Sequence, residues 1–271
     1  EEYVRAIVGT GWPADFARGR ALILGLLEKK LAQRLATHPS PSPAAFASER
    51  ELLVLAAETL VREEERLALE TGSEPVYVEA SLGMPPDEHG TALDCPEPIP
   101  VALPGGLTIR TRGRVDRIDR FASGGLAVID YKTGSPGVSG WLGDRPDDPQ
   151  LPLYALAAGE EVRAVAFACL KKGKHGFLGL AREEGLLPGV GTVDKHRTGG
   201  KLHASWDELL EAWRQATARL ASEFAAGQAR VDPKKRFASC TYCDLATLCR
   251  VDGEPGAADA DEAGADEEEG E

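Results

Sequence analysis

The chain has 271 residues, of which 42% are hydrophobic, which is enough for one large folded domain with a full core. No apolar run approaches the roughly 20 residues that a membrane span needs, and the start shows no signal-peptide pattern. The chain begins with Glu1 rather than Met, so we expect a piece of a longer protein. Five cysteines, three of them clustered, argue against a secreted disulfide framework and favour a cytoplasmic protein with a metal site.

The net charge of −13 at first argues against a nucleic-acid partner, but it is unevenly distributed. Residues 251–271 hold ten acidic and no basic side chains, and the rest of the chain carries only −3. Local basic runs remain, at Arg110, Arg112, Arg114 and Arg117, at Lys171, Lys172 and Lys174, at Lys195, Arg197 and Lys201, and at Lys234, Lys235 and Arg236. Each is either a phosphate-binding patch or an ordinary solvated face.

The first part of the chain, residues 1–80, is predicted to be mainly helical. Leucines at helical spacing predict one helix over residues 14–37 and a second over 45–71. A strand is predicted to begin at Val76, and residues 84–104 are rich in proline and predicted to be irregular.

Alternating apolar residues in the middle of the chain predict a sheet, with a catalytic core over 107–170. Successive strands are expected over 107–112, 113–120 and 126–131, with Ser123-Gly-Gly125 as a hairpin turn. A helix over 151–158 and a strand over 164–170 should follow. After them come a long insert over 173–204, with a loop over 185–200, and an amphipathic helix over 206–227. This order predicts an α/β fold with a central mixed sheet flanked by helices. Residues 205–250 add a helix and a cysteine cluster, and the acidic tail 251–271 is predicted to be disordered.

Two aspartates and a lysine form the central motif of the sequence. Asp130 and Lys132 lie two residues apart on one strand, so they face the same side, while Tyr131 points the other way. A hairpin would place Asp116 beside Asp130, and two carboxylates can hold a hard divalent cation. The alternative is that both aspartates are surface acids, paired with Arg114 and Lys132.

Gln150 and Tyr154 follow at helical i, i+4 spacing and so share one helix face. Tyr154 can equally be a core aromatic residue between Leu151 and Leu153, and a tyrosine can both bury its ring and present its hydroxyl.

Cys240, Cys243 and Cys249, with the spacing C-x₂-C-x₅-C, suggest a metal site. Cys169 alternates with Phe167 on an apolar strand and is expected to be a small core residue.

The ordered set of motifs from Gly113 to Arg250 resembles the PD-(D/E)XK nuclease superfamily, specifically its RecB-type branch and the C-terminal nuclease domain of AddB-like double-strand-break repair proteins. The stretches that carry the resemblance are Gly113-Arg-Val-Asp116-Arg-Ile-Asp, Val128-Ile-Asp130-Tyr-Lys132-Thr-Gly134, Arg145-Pro-Asp-Asp-Pro-Gln-Leu-Pro-Leu-Tyr154, Val162-Arg-Ala-Val-Ala-Phe167, Val231-Asp-Pro233 and Cys240 to Cys249. Over residues 1–80 the resemblance is much less clear.

The resemblance implies a restriction-endonuclease-like core that hydrolyses phosphodiester bonds with Mg²⁺ or Mn²⁺. Asp116, Asp130 and the backbone carbonyl of Tyr131 would bind the metal, and Lys132 would orient or activate the water. Gln150 and Tyr154 would lie beside the active site. DNA contacts are expected from the basic residues Arg114, Arg117, Lys171, Lys172 and Lys174.

The resemblance further implies that the three C-terminal cysteines bind a 4Fe–4S cluster, whose fourth ligand in the family is a cysteine far upstream. Here that ligand would be absent from this chain, or be Cys95, or be Cys169. Zinc is the alternative metal.

One expected family motif, Gly-x-x-x-His-x-x-Leu, has no full match. The closest stretch runs from Gly19 to Leu26, with Ile23 where the metal-binding histidine belongs.

The sequence therefore predicts a metal-dependent DNA exonuclease domain of a helicase–nuclease that resects broken ends. The missing histidine leaves open a catalytically weak DNA-end-binding iron–sulfur module that supports a partner helicase. A CRISPR-adaptation nuclease shares the cysteine spacing, but the long insert over 173–204 fits it less well. The chain has no Walker A phosphate loop, so unwinding would come from elsewhere.

Overall fold

The computed structural model describes residues 2–8, 12, 15–38, 42–82, 99–159, 161–171, 174–234 and 239–249. The chain divides into two compact units, Glu1–Ser222 and Glu223–Glu271.

The helices are α1 (Glu2–Val8), α2 (Phe16–Thr37), α3 (Pro43–Thr71), α4 (Gln150–Ala158), α5 (Gly199–Leu202), α6 (Trp206–Ala225) and α7 (Ala246–Cys249). The strands are β1 (Glu74–Leu82), β2 (Ile99–Ala102), β3 (Thr108–Thr111), β4 (Gly113–Arg120), β5 (Leu126–Lys132), β6 (Val162–Lys171), β7 (Lys174–Ala181) and β8 (Gly191–Thr192).

The two long N-terminal helices begin at capping residues. The side chain of Asp15 accepts a hydrogen bond from the Arg18 backbone N–H at the start of α2, and Ser42 accepts one from the Ala45 N–H at the start of α3. Helix α3 ends at Gly72 in the left-handed conformation, with φ of 61°, which favours glycine. Both predicted helices are therefore confirmed, with ends within two residues of the predicted ones.

Six strands of the first unit form a mixed sheet in the order β1-β4-β5-β6-β7-β8. Pairs β1–β4, β4–β5 and β6–β7 are antiparallel, while β5–β6 and β7–β8 are parallel. Helix α4 makes the crossover between the parallel strands β5 and β6. The predicted α/β fold with a central mixed sheet is confirmed.

The two faces of the sheet bury different clusters. The face that carries Val128 and Phe167 packs with residues of α4 and α6, and we call it the α4 face. The opposite face carries Ala127 and Ile129 and packs with Leu67 of α3, and we call it the α3 face. A third cluster joins α1, α2 and α3 to Val78 of β1.

The strand predicted over 107–112 is confirmed as β3, although it pairs with β2 in a separate two-stranded sheet and does not join the main sheet. Two other predictions are wrong. Strand β2 itself lies in the stretch predicted to be irregular. The predicted insert over 173–204 contains β7, which pairs with β6 along its length.

The second unit contains the end of α6 and helix α7. Its described residues include strongly exposed apolar side chains, among them Phe224 and Tyr242. The predicted disordered tail, 251–271, lies outside the described residues. None of the described helices is long and apolar enough to span a membrane.

Candidate active site

Asp116 and Asp130 lie next to each other on the α4 face. They are carried by β4 and β5, which form the predicted hairpin with its turn at Ser123-Gly-Gly125. The last registered pair of this ladder is Arg117 with Ile129, so the next positions along the strands are those of the two aspartates. The backbone N–H of Tyr131 donates a hydrogen bond of 2.9 Å to Oδ2 of Asp116, which ties the two strands together where the ladder ends.

Asp130 is almost fully buried, and its Oδ2 has no hydrogen-bond donor among the described residues. The Nζ of Lys132 lies 2.7 Å from this oxygen and forms an ion pair with it. The Lys132 ammonium also lies 5.5 Å from the ring centroid of Phe167. Asp130 and Lys132 therefore share the α4 face, as strand alternation predicts.

The electrostatics of Asp116 favour a bound cation. Burial raises the pKa of Asp116 above its ordinary value; the charge of Asp130 acts in the same direction, while the N–H of Tyr131 and the charge of Lys132 oppose it. The negative charge of Asp116 is thus disfavoured in this partly buried site, and a divalent cation would relieve it.

The pKa of Lys132 is also raised. Burial lowers this pKa, but contact with Asp130 and the charges of Asp130, Asp148 and Asp116 outweigh burial and keep the ammonium protonated. Asp148, just before α4, is a site residue that the sequence analysis did not single out. The sequence clue to Asp148 is its position two residues before Gln150.

The donor set fits a hard divalent cation. Carboxylate oxygens are the ligands that Mg²⁺ and Mn²⁺ prefer, and one buried oxygen of Asp130 lacks a hydrogen-bond donor. Asp116 has a second carboxylate oxygen, Oδ1, besides the Oδ2 that accepts the Tyr131 N–H.

Tyr154 of α4 supports the strand that carries Asp116. Its ring lies in the core cluster of the α4 face, and its hydroxyl donates a hydrogen bond of 3.0 Å to the Arg114 carbonyl oxygen. Gly113 allows this approach, because a Cβ there would lie 2.6 Å from the hydroxyl oxygen. Gln150, at the start of α4, is partly exposed. Tyr154 is thus a core residue whose hydroxyl also bonds to the strand that carries Asp116.

The residues predicted to contact DNA fall in different environments. Arg114 is exposed on β4, two residues before Asp116. Lys171 and Lys174 end β6 and begin β7 as a registered pair, and Lys172 lies outside the described residues. The predicted DNA contact of Arg117 is wrong, because its side chain is fully buried on the α3 face.

Arg117 lies instead in a buried network that the sequence analysis missed. Its guanidinium forms ion pairs with Glu64 of α3 and with Asp119 of its own strand. The Tyr131 hydroxyl joins the same network.

The position expected for the family histidine is apolar. Ile23 is buried in the cluster formed by α1, α2, α3 and β1, and its hydrocarbon side chain has no atom that can bind a metal. Gly19, four residues before it, allows α2 to pack closely, since a Cβ there would lie 2.6 Å from the Tyr3 hydroxyl oxygen.

The three C-terminal cysteines are free thiols, with Cys240 and Cys249 half-buried and Cys243 exposed. Across the described ranges, no group of three or more His, Cys, Asp or Glu side chains is arranged to hold a metal ion. Cys95 lies outside those ranges. Cys169 packs against the core cluster of the α4 face, as expected for a core residue, and burial raises its thiol pKa.

Two carboxylates and a lysine at the end of a β hairpin, beside a crossover helix, define the site as a candidate divalent-metal centre of a hydrolytic enzyme. The family model of the PD-(D/E)XK nuclease superfamily matches residues 10–250, and the chain belongs to that superfamily. No curated protein matches the chain.

Proposed function

We propose that this protein is a Mg²⁺- or Mn²⁺-dependent deoxyribonuclease of the RecB type that degrades DNA from its ends. The observation that carries the proposal is the meeting of Asp116, Asp130 and Lys132 at one edge of the α4 face. Superfamily membership supports the nuclease activity. The motif sequences from Gly113 to Cys249 support the RecB-type, AddB-like assignment.

In this proposal Asp116 and Asp130, with the Tyr131 carbonyl, hold the cation. When bound, the cation supplies positive charge at the scissile phosphate and lowers the pKa of water. Lys132 places its ammonium at the same edge, where it orients the attacking water and offsets the negative charge that develops as the P–O bond breaks. Tyr154 holds β4 in place, and Gln150 and the exposed Arg114 contact the DNA backbone near the cleavage point, with Lys171, Lys172 and Lys174 as further phosphate contacts.

The biological role that we propose is end resection in double-strand-break repair, with the chain acting as the nuclease domain of a helicase–nuclease in the cytoplasm. A Walker A loop is missing from the sequence, so a partner helicase subunit or domain would supply unwinding.

We also propose that Cys240, Cys243 and Cys249 are three ligands of a 4Fe–4S cluster, with zinc as the alternative. The C-x₂-C-x₅-C spacing supports this, as does the hydrogen bond from the Cys243 N–H to the Cys240 carbonyl oxygen, which brings the first two cysteines into one turn.

A second candidate function is a catalytically weak module that binds DNA ends for a partner helicase. The apolar Ile23 at the position of the family histidine favours it, because the site then has fewer metal ligands.

The test compares linear duplex DNA, linear single strands and closed circular DNA of the same sequence, with Mg²⁺, with Mn²⁺ and with EDTA. The proposal expects metal-dependent loss of the linear substrates while the circles survive. Binding of linear DNA without cleavage in either metal would support the second candidate instead. Cleavage of circles at the same rate would contradict the exonuclease mode.

A further inference from the structure

The buried network on the α3 face lies directly behind the candidate metal site. Arg117 follows Asp116 in sequence, and Tyr131 follows Asp130. Because strand side chains alternate between faces, each aspartate points to the α4 face while its neighbour points to the α3 face. The position of each network residue therefore helps to set the position of one carboxylate.

Glu64 of α3 joins these two neighbours. Both of its carboxylate oxygens accept hydrogen bonds from Nη1 of Arg117, each of 2.6 Å. The Tyr131 hydroxyl donates a hydrogen bond of 3.1 Å to Oε1 of the same carboxylate. It also accepts one of 2.9 Å from Arg117 Nη1. One helix residue thus holds both β4 and β5.

Asp119 fixes the other side of the Arg117 guanidinium. Nε and Nη2 of Arg117 donate to its two carboxylate oxygens at 2.5 and 2.6 Å. The guanidinium carbon also lies 5.2 Å from the ring centroid of Trp12. The guanidinium thus has charged partners on both sides, which restrict where the side chain can lie.

The network lies where the backbone stops holding the two strands together. The β4–β5 ladder reaches its last registered pair at Arg117 and Ile129. Beyond that pair, the Tyr131 N–H donates a hydrogen bond to the Asp116 carboxylate. Strand β4 continues to pair with β1, and β5 continues to pair with β6. The gap between β4 and β5 at Asp116 and Asp130 is therefore spanned by side chains, and Glu64 bridges the two strands at this point.

Stability alone does not account for such a network. Glu64, Arg117 and Asp119 have 3%, 0% and 0% of their surface exposed, so three ionisable side chains have lost their hydration. Well-packed apolar residues in place of buried ion pairs are often as stable or more stable. Apolar contacts are not directional, whereas hydrogen bonds are, so the network can fix the orientation of its side chains.

We propose that Glu64 is a positioning residue for the metal site, which acts through Arg117 and Tyr131 to hold Asp116 and Asp130 at the separation a divalent cation needs. The inference rests on the proposed function for the identity of the bound ion. Glu64 contacts neither metal nor DNA in this role.

The test is Mn²⁺ affinity of the metal-free full chain, measured by calorimetry, for the parent, Glu64→Gln and a control. The control is Leu67→Ala, a fully buried residue one turn further along α3 on the same side of the sheet, which loses packing but leaves the network intact. We expect Glu64→Gln to weaken Mn²⁺ binding by about 10-fold or more, the range seen when residues that orient metal ligands are changed. Leu67→Ala should bind Mn²⁺ like the parent even if it melts at a lower temperature.

Glu64→Gln with the parent affinity would overturn the inference, and so would an equal loss of affinity in Leu67→Ala. If Glu64→Gln does not fold, Tyr131→Phe decides the matter, because it removes one hydroxyl and leaves the Arg117–Glu64 pair. Weaker Mn²⁺ binding by Tyr131→Phe supports the inference, and unchanged binding overturns it. A parent that binds Mn²⁺ but cleaves no DNA would contradict the proposed function, while the affinities would still decide the role of Glu64.

Discussion

The Tyr154 hydroxyl donates a hydrogen bond of 3.0 Å to the Arg114 carbonyl oxygen and so joins α4 to β4 two residues before Asp116. A helix that follows β4 and β5 in sequence thus contacts the backbone of β4 beside the candidate site. The contact fixes the strand backbone, not the carboxylate itself.

Tyr154→Phe should therefore lower turnover more than stability. The ring still fills the core, and loss of one hydrogen bond costs about 1 kcal/mol of unfolding free energy. Turnover with linear DNA and the melting temperature are the two measurements. Tyr77→Phe, at an exposed tyrosine of β1, is the control and should change neither. A Tyr154→Phe protein that melts far below the parent but keeps its specific activity would mean that the residue only fills the core.

Asp116→Asn should stabilise the metal-free protein while abolishing cleavage. The amide oxygen can still accept the Tyr131 N–H, and the charge that burial and Asp130 disfavour is gone. Saturating Mn²⁺ should reverse the order of stability, since free metal at 100 times its Kd adds about 2.7 kcal/mol only to a protein that binds it. Thermal unfolding with EDTA and with Mn²⁺ measures both effects. A metal-free variant less stable than the parent would contradict the assigned electrostatics.

The difference in stability between the parent and Asp116→Asn should also depend on pH. Because the pKa of Asp116 is higher in the folded protein than its ordinary value of 3.8, protonation stabilises the fold, and that stabilisation is lost as pH rises through the raised pKa. The melting temperature of Asp116→Asn minus that of the parent, in EDTA, should therefore be largest at neutral pH. It should fall towards zero in acid, where the parent carboxyl is also neutral. A difference that grows on acidification would show that the pKa is lowered instead.

The cysteine proposal predicts a coloured protein. Anaerobically purified parent should absorb in the visible blue, and Cys243→Ser or Cys249→Ser should lose the colour and weaken DNA binding, because metal binding contributes folding free energy to this end of the chain. Cys169→Ser, at a partly buried residue packed against the core cluster of the α4 face, should keep the colour. Colourless parent with stoichiometric zinc would overturn the iron–sulfur assignment but keep a structural role for the three cysteines.

The part of the site that was predictable from sequence is the part that is local in sequence. Asp116 and Asp130 lie on the two strands of one hairpin, and strand alternation places Lys132 on the same face as Asp130. Glu64 could not be predicted in this way, because it is 53 residues from Arg117 and is one of three consecutive glutamates. Only the packing of α3 on the sheet distinguishes Glu64 from the two neighbouring glutamates. For the same reason Arg117 was taken for a DNA contact.

The fold shows the same limit. Strands β4 and β5 have strong alternation and a Gly-Gly turn, and both were predicted closely. Strand β7 was missed because glycines interrupt its apolar pattern, although Gly179 is required by the sheet: a Cβ there would lie 2.1 Å from the Val165 carbonyl oxygen. Strand β2 was not predicted because it contains Pro100, and proline is uncommon within strands. Here Pro100 lies in a short two-stranded sheet.

The most direct test of the central claim is the cleavage rate of Lys132→Ala at saturating Mn²⁺. In the proposed site Lys132 lies beside Asp130 but is not a metal ligand. The variant should therefore fold and bind Mn²⁺ like the parent, while cleavage falls by about 10²–10³-fold. Lys195→Ala, which removes an exposed lysine paired with Glu184, is the matched control and should cleave like the parent. Linear DNA cut by Lys132→Ala at the parental rate would contradict the account.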